Sequence, residues 1–121
     1  MKDTVTNISE LSEINGFIGA CLVDAESGMM FASEGGGGRL DLEIAGAGNT
    51  EVVRSKNAVM KQLGLDDKIE DILITLGTQY HLIRPLASNP MVFIYVALDK
   101  KVANLAMARM QVKKVEQTLQ M

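Results

Sequence analysis

The stretch best placed to do chemistry is ASEGGGGRLDLE, residues 32 to 43, where four consecutive glycines stand just ahead of a helix-like pattern. Glycine runs of this kind can bring backbone N–H groups up to a phosphate. A nucleotide P-loop, however, also needs a lysine for the outer phosphates and a Ser or Thr for magnesium. Here the glycines run into Arg39-Leu40-Asp41, which supplies neither. The dinucleotide fingerprint fails as well, because its glycines must follow a strand of a parallel βαβ unit. Asp41 and Glu43 stand where a phosphate would sit, at the positive end of the coming helix. The run therefore reads as a flexible connector.

The remaining reactive side chains are sparse. His81 is the single histidine and Cys21 the single cysteine. His81 falls within a strand pattern beside Ile83, the position of a structural histidine. Cys21 lies in the apolar run FIGACLV and reads as a small buried thiol. One His and one Cys cannot build a standard zinc site. Asp66, Asp67, Glu70 and Asp71 are the densest acids, but they lack the alternating ligands and glycine of a calcium loop. They read as a solvated corner. Arg39, Arg54, Arg84 and Arg109 are scattered. The expectation is a protein with no catalytic residue, no cofactor and no metal.

Composition narrows the partners. The chain has 121 residues, a formal charge of −3 and 47% hydrophobic residues, which fits one globular domain over residues 1–121. An acidic balance gives no footprint for nucleic acid or anionic lipid. The longest apolar run, MVFIYVAL, is far short of the roughly 20 residues of a membrane span. With no signal-like N-terminus in MKDTVTNISEL, the expected location is the cytoplasm.

These residues must be positioned by an α-β-β-α-β-β-β-α order. A short first helix capped at Asp3 or Thr4 carries Val5, Ile8 and Leu11. Strands follow over 16–24 and 29–33, then a long helix over 41–63 stopped by Gly64. Strands over 69–76, 79–86 and 91–98 lead to a last helix over 100–120, with Val102, Leu105, Ala108, Val112, Val115 and Leu119 on one face. The first and fifth strands are apolar on both faces, so both belong in the middle of the sheet. Hairpin connections then predict an α+β fold with a five-stranded antiparallel sheet in the order 2-1-5-4-3. Three helices sandwich the sheet, the terminal pair sharing one face. Pro85, which cannot donate to a ladder, is expected at the end of the fourth strand.

In that order the third strand is an edge. Ile69, Ile72, Leu73, Ile74 and Leu76 make it long, apolar and uncharged past Asp71, which invites pairing with a second copy of the chain. In the middle helix, Ile44, Gly48, Val52, Val59 and Leu63 are expected to face the core. Leu42, Val53 and Met60 form a second line, with Asn49 and Lys56 beside it, which would be the partner-binding face. Gly46 and Gly48 would let another helix approach. On this reading Val53→Asp or Met60→Asp abolishes partner binding and spares the folded dimer.

Three segments together resemble the Roadblock/dynein light-chain family: GFIGACLVDAESGMMFAS, LGLDDKIEDILITLGTQYHLIRPL and VFIYVALDKKVANLAMARMQVKKVE. With the element order they span nearly the whole chain. The resemblance implies a profilin-like sheet between helices and a homodimer joined through the third strands. It also implies paired middle helices and binding or regulation of a Ras-like small GTPase. A light chain that tethers a larger scaffold, indifferent to nucleotide, is the alternative; a small enzyme or ligand sensor on a similar sheet is the third possibility. The matching positions are Ile69 to Leu76 for the dimer strand and Leu42 to Leu63 for the platform helix.

Overall fold

A computed structural model describes residues 6–121. A 3-10 helix at Ser9–Glu13 comes first, followed by strands β1 (Phe17–Asp24) and β2 (Met30–Gly35) and helix α1 (Leu42–Gln62). Strands β3 (Ile72–Thr75), β4 (Gln79–Pro85) and β5 (Val92–Asp99) follow, and helix α2 (Leu105–Thr118) completes the order. The sheet has the order β2-β1-β5-β4-β3, with every pairing antiparallel. This is the expected topology. The helix count is not: among the described residues two α-helices are present where three were expected.

Within the described residues the first expected helix is one 3-10 stretch. Leu11 N–H donates to Ile8 O and Ile14 N–H to Leu11 O, the i→i+3 bonds of a 3-10 turn. Its proposed caps and Val5 lie outside the described residues. Ile8, Leu11 and Ile14 still face inward, packing with Ala108, Val112 and Val115 of α2 and with Leu119 just after it, on one side of the sheet. The other side holds α1. The layering expected from the sequence is therefore present.

Burial explains why β1 and β5 are central. Every residue from Ile18 to Val23 and from Val92 to Leu98 is buried. Alternation sends Ala20 and Leu22 to the α2 side and Cys21 and Val23 to the α1 side. The ladder pairs Cys21 with Tyr95 and Leu22 with Ile94. Phe93 and Tyr95, the largest buried side chains, fill the α1 side.

Three boundaries differ from expectation. β3 is four residues long rather than eight, because its register with β4 (Ile72 opposite Ile83) would set Glu70 opposite Pro85, which has no N–H to give. α2 begins at Leu105 because Asn104 caps it, its side chain accepting from Met107 N–H at 3.1 Å. Val102 therefore precedes the helix and is exposed, outside the core stripe. β2 runs on to Gly35, which pairs with Gly19. The glycine run is thus only partly slack. A Cβ on Gly35 (φ 69°) would stand 2.6 Å from Phe17 Cε2, and one on Gly36 (φ 85°) 2.9 Å from Leu40 O. Gly37 and Gly38 meet nothing within 4 Å.

One ion pair ties α2 to the sheet. Arg84 Nε donates to Glu116 Oε1 at 2.5 Å, and Glu116 Oε2 accepts from Ala87 N–H at 2.9 Å. Both side chains are largely buried. Removing one partner strands the other charge. Arg84→Ala is expected to cost about 3 kcal/mol of unfolding free energy, read from urea denaturation.

Candidate functional site

The groups with chemical potential are accounted for by packing. Cys21 is fully buried, its Sγ 3.9 Å from Leu42 O at the start of α1, and burial pushes its thiol up to about 12. His81 has one ring nitrogen 2.7 Å from Gln79 Oε1 and the other 3.2 Å from Tyr95 Oη. Its ring stands edge-on to Tyr95, and desolvation lowers its pKa. Burial, reinforced by Cys21, raises the Tyr95 hydroxyl to about 12. The three form a structural group beneath the sheet's α1 side. Asp71, one of the clustered acids, is held by Arg109 of α2 through two bonds of 3.2 Å. Among the described residues, no group of three or more His, Cys, Asp or Glu is arranged to hold a metal. No helix in the described residues is long and apolar enough to cross a membrane.

Two exposed apolar features coincide with the expected partner helix and edge strand, and they define the candidate surface. The first is α1. Asp41 caps it, accepting from the N–H groups of Glu43 and Ile44 at 3.0 and 3.1 Å. At its other end Gly64 (φ 69°) donates to Lys61 O and Leu65 N–H to Met60 O, which closes the helix as expected.

Its faces are the reverse of those expected. Leu42, Gly46, Thr50, Val53 and Met60 are the buried residues, with Leu42 and Val53 in the core cluster that includes Cys21, Phe93 and Tyr95. Gly46 is the reason. A Cβ there would lie 3.2 Å from Val23 Cγ2, a tight contact that a glycine avoids as the helix sits close to β1. Thr50 satisfies its hydroxyl inside the helix by donating to Gly46 O at 2.9 Å, so it can be buried without cost. Leu42, Val53 and Met60 are therefore core, and cannot meet a partner. Asn49 is half-buried and spends its side-chain N–H on Ala45 O; Lys56 is exposed. The outward line is Ile44 (71% exposed), Gly48, Val59 and Leu63 (65%), with Val52 half-buried at its margin. Gly46 and Thr50, the least apolar members of the buried stripe, concealed it in the sequence.

The second feature is β3. Among the described residues it pairs with β4 alone, so its other side is open. Ile72 and Ile74 pack toward the α1 side and Leu73 toward the α2 side, all three only half-buried. Ile69 precedes the strand, half-buried, and Leu76 follows it at 42% exposure. α1 lies over β1 and, to a lesser degree, β2. The α1 side of the sheet near β3 is thus incompletely covered, next to the open edge.

No protein-family model and no curated protein matches the chain. Solved structures do. MglB of Myxococcus xanthus superposes with a TM-score of 0.77 at 17% identity, over 90% of this chain and 85% of that one. A Roadblock/LC7 domain from Streptomyces avermitilis gives 0.75 at 11% identity, over 89% and 86%. An MglB structure described as having a tetrameric arrangement gives 0.75 at 15% identity, over 91% and 79%. Identities this low speak to fold alone, and the fold is that of Roadblock/LC7 domains.

The reversed helix makes a direct prediction. Val53→Asp buries an unpaired carboxylate and should lower stability by about 3 kcal/mol or more, whereas Ile44→Asp should stay within about 0.5 kcal/mol of the parent in the same melt. Alkaline titration gives a second. The unfolded chain releases the Cys21 proton near its ordinary value of 9.0, and the folded chain holds it to about 12, so stability must fall as pH rises through that window. Cys21→Ala should reduce that slope by up to about 1.4 kcal/mol per pH unit, measured by urea melts.

Proposed function

We propose that this Roadblock-fold chain is a cytoplasmic, non-enzymatic homodimeric module that binds a Ras-like small GTPase through its α1 helices. The observation that carries the reading is the outward line of α1. Ile44 and Leu63 are mostly exposed, with Val59 between them at 43%. Large aliphatic residues kept in water along one helix face are a docking surface in want of a partner. Gly48, with nothing within 4 Å of its would-be Cβ, allows a close approach there.

The open β3 edge supports the dimer. Ile72, Leu73 and Ile74 bear no charge that would discourage another strand, and Leu76 extends the apolar span. The resemblance of the sequence segments to the Roadblock family supports the GTPase as the class of partner. The tetrameric arrangement named for one structural neighbour is consistent with self-assembly on this fold. Partner binding belongs to Ile44, Gly48, Val59 and Leu63 in place of Leu42, Val53 and Met60.

The test uses Ras-like GTPases of the same organism, purified and loaded with GDP or a non-hydrolysable GTP analogue. Wild-type protein should bind one of them with a clear preference between nucleotides, and Ile44→Asp with Leu63→Asp should weaken binding at least about tenfold while leaving the melting curve unchanged. Equal binding in both nucleotide states would favour the scaffold light chain. Undiminished binding by the double variant would remove α1 from the account. Ile74→Lys should yield monomers or aggregates by light scattering.

A further inference from the structure

We propose that a second copy of the chain pairs with β3 about a two-fold axis through Ile74, so that the acidic segment before β3 meets the partner's basic corner beyond it. This deepens the homodimer reading above and rests on it. Backbone alternation and side-chain faces set the axis on a residue, and the apolar and charge pairings select Ile74.

Leu76 N–H donates to Gln79 O at 2.8 Å, and Ile74 and Ile72 stand opposite His81 and Ile83. In an antiparallel ladder the hydrogen-bonding groups alternate sides. Those of Ile72, Ile74 and Leu76 are therefore turned toward β4, and those of Leu73 and Thr75 toward the open edge. Residues directly opposed across an antiparallel pair share one face of the sheet. Because Ile72 and Ile74 lie on the α1 side and Leu73 on the α2 side, the axis must pass through a residue and not between two.

An axis through Ile74 sets Leu73 opposite the partner's Thr75, so the outward N–H and C=O groups of both are exchanged on either side of the axis. It also sets Ile72 opposite the partner's Leu76, which covers a leucine now 42% exposed. Moving the axis to Leu73 would set Leu76 against Glu70 instead, an apolar side chain facing a charge.

The charges then fall into place. With Ile74 on the axis, Glu70 comes beside the partner's Gly77-Thr78 turn, which follows β3. Thr78 O accepts from Lys100 N–H at 3.0 Å, and both residues line a cleft of about 520 Å³ together with Arg39 and Lys101. Three cations stand there against one carboxylate, Asp99. The segment before β3 has the opposite balance: Asp66, Asp67 and Glu70 are exposed against Lys68 alone, since Asp71 is taken by Arg109. Acid lies at one end of the strand and base at the other. Antiparallel pairing across strands about 4.8 Å apart brings acid to base twice, whereas parallel pairing would bring acid to acid.

Charge reversal tests the register. One variant carries Asp67→Lys and Glu70→Lys, the other Lys100→Glu and Lys101→Glu, all at exposed positions. Each alone should dimerise at least about tenfold more weakly than the parent, since attraction becomes repulsion at both symmetric sites. Mixed in equal amounts they should recover a heterodimer of near-parental affinity, because both sites are then complementary again. Sedimentation equilibrium reads each step, and circular dichroism checks folding. Parental affinity for each variant alone would overturn the register while leaving the dimer standing, as would variants that stay monomeric on mixing. A monomeric wild type would overturn the dimer itself. If the variants fail to fold, the wild-type dimer decides: its dissociation constant should rise about tenfold between 50 and 500 mM salt, and an unchanged constant refutes the ionic pairing.

Discussion

The pairing of β1 with β5 governs the rest of the molecule. Both strands are buried on both faces, from Ile18 to Val23 and from Val92 to Leu98. A strand with no solvent face needs a neighbour on each side and a layer above and below. The hairpins supply the neighbours: β2 beside β1, β4 beside β5 and then β3. The layers come from α1 on one side, and from α2 with the 3-10 helix on the other. Once the central pair is placed, β3 has nowhere to go but the rim.

That position has a functional consequence. α1 is drawn over β1 by Gly46 and Thr50, and the sheet near β3 keeps Ile72 and Ile74 half-buried. The same close seating rotates Ile44, Val59 and Leu63 outward. Core packing and surface display on α1 are thus one geometric decision. A larger residue at position 46 would lift the helix and blur both faces.

The topology was legible because it follows from coarse features: double-faced hydrophobicity in β1 and β5, short turns, and apolar periodicity in α2. Gly64, Asp41 and Pro85 behaved as their local chemistry demands. The faces of α1 were not legible by hydrophobicity alone. Two apolar lines of similar bulk compete on that helix, and the decisive contact is a glycine against Val23, a matter of distance that no side-chain scale records. The length of β3 depended on its register with Pro85, and the 3-10 form of Ser9–Glu13 on i→i+3 bonds such as Leu11 N–H to Ile8 O. Gly35 and Gly36, read as slack, are fixed by their neighbours Phe17 and Leu40.

The central claim is that the open side of β3 is completed by another backbone. Amide hydrogen exchange at Leu73 and Thr75 tests it most directly, since their N–H groups face outward from β4 in the isolated chain. The account predicts that both amides become protected as protein concentration rises, with a midpoint matching the onset of dimer formation. Rapid exchange at these two positions in a sample that is fully dimeric would contradict it.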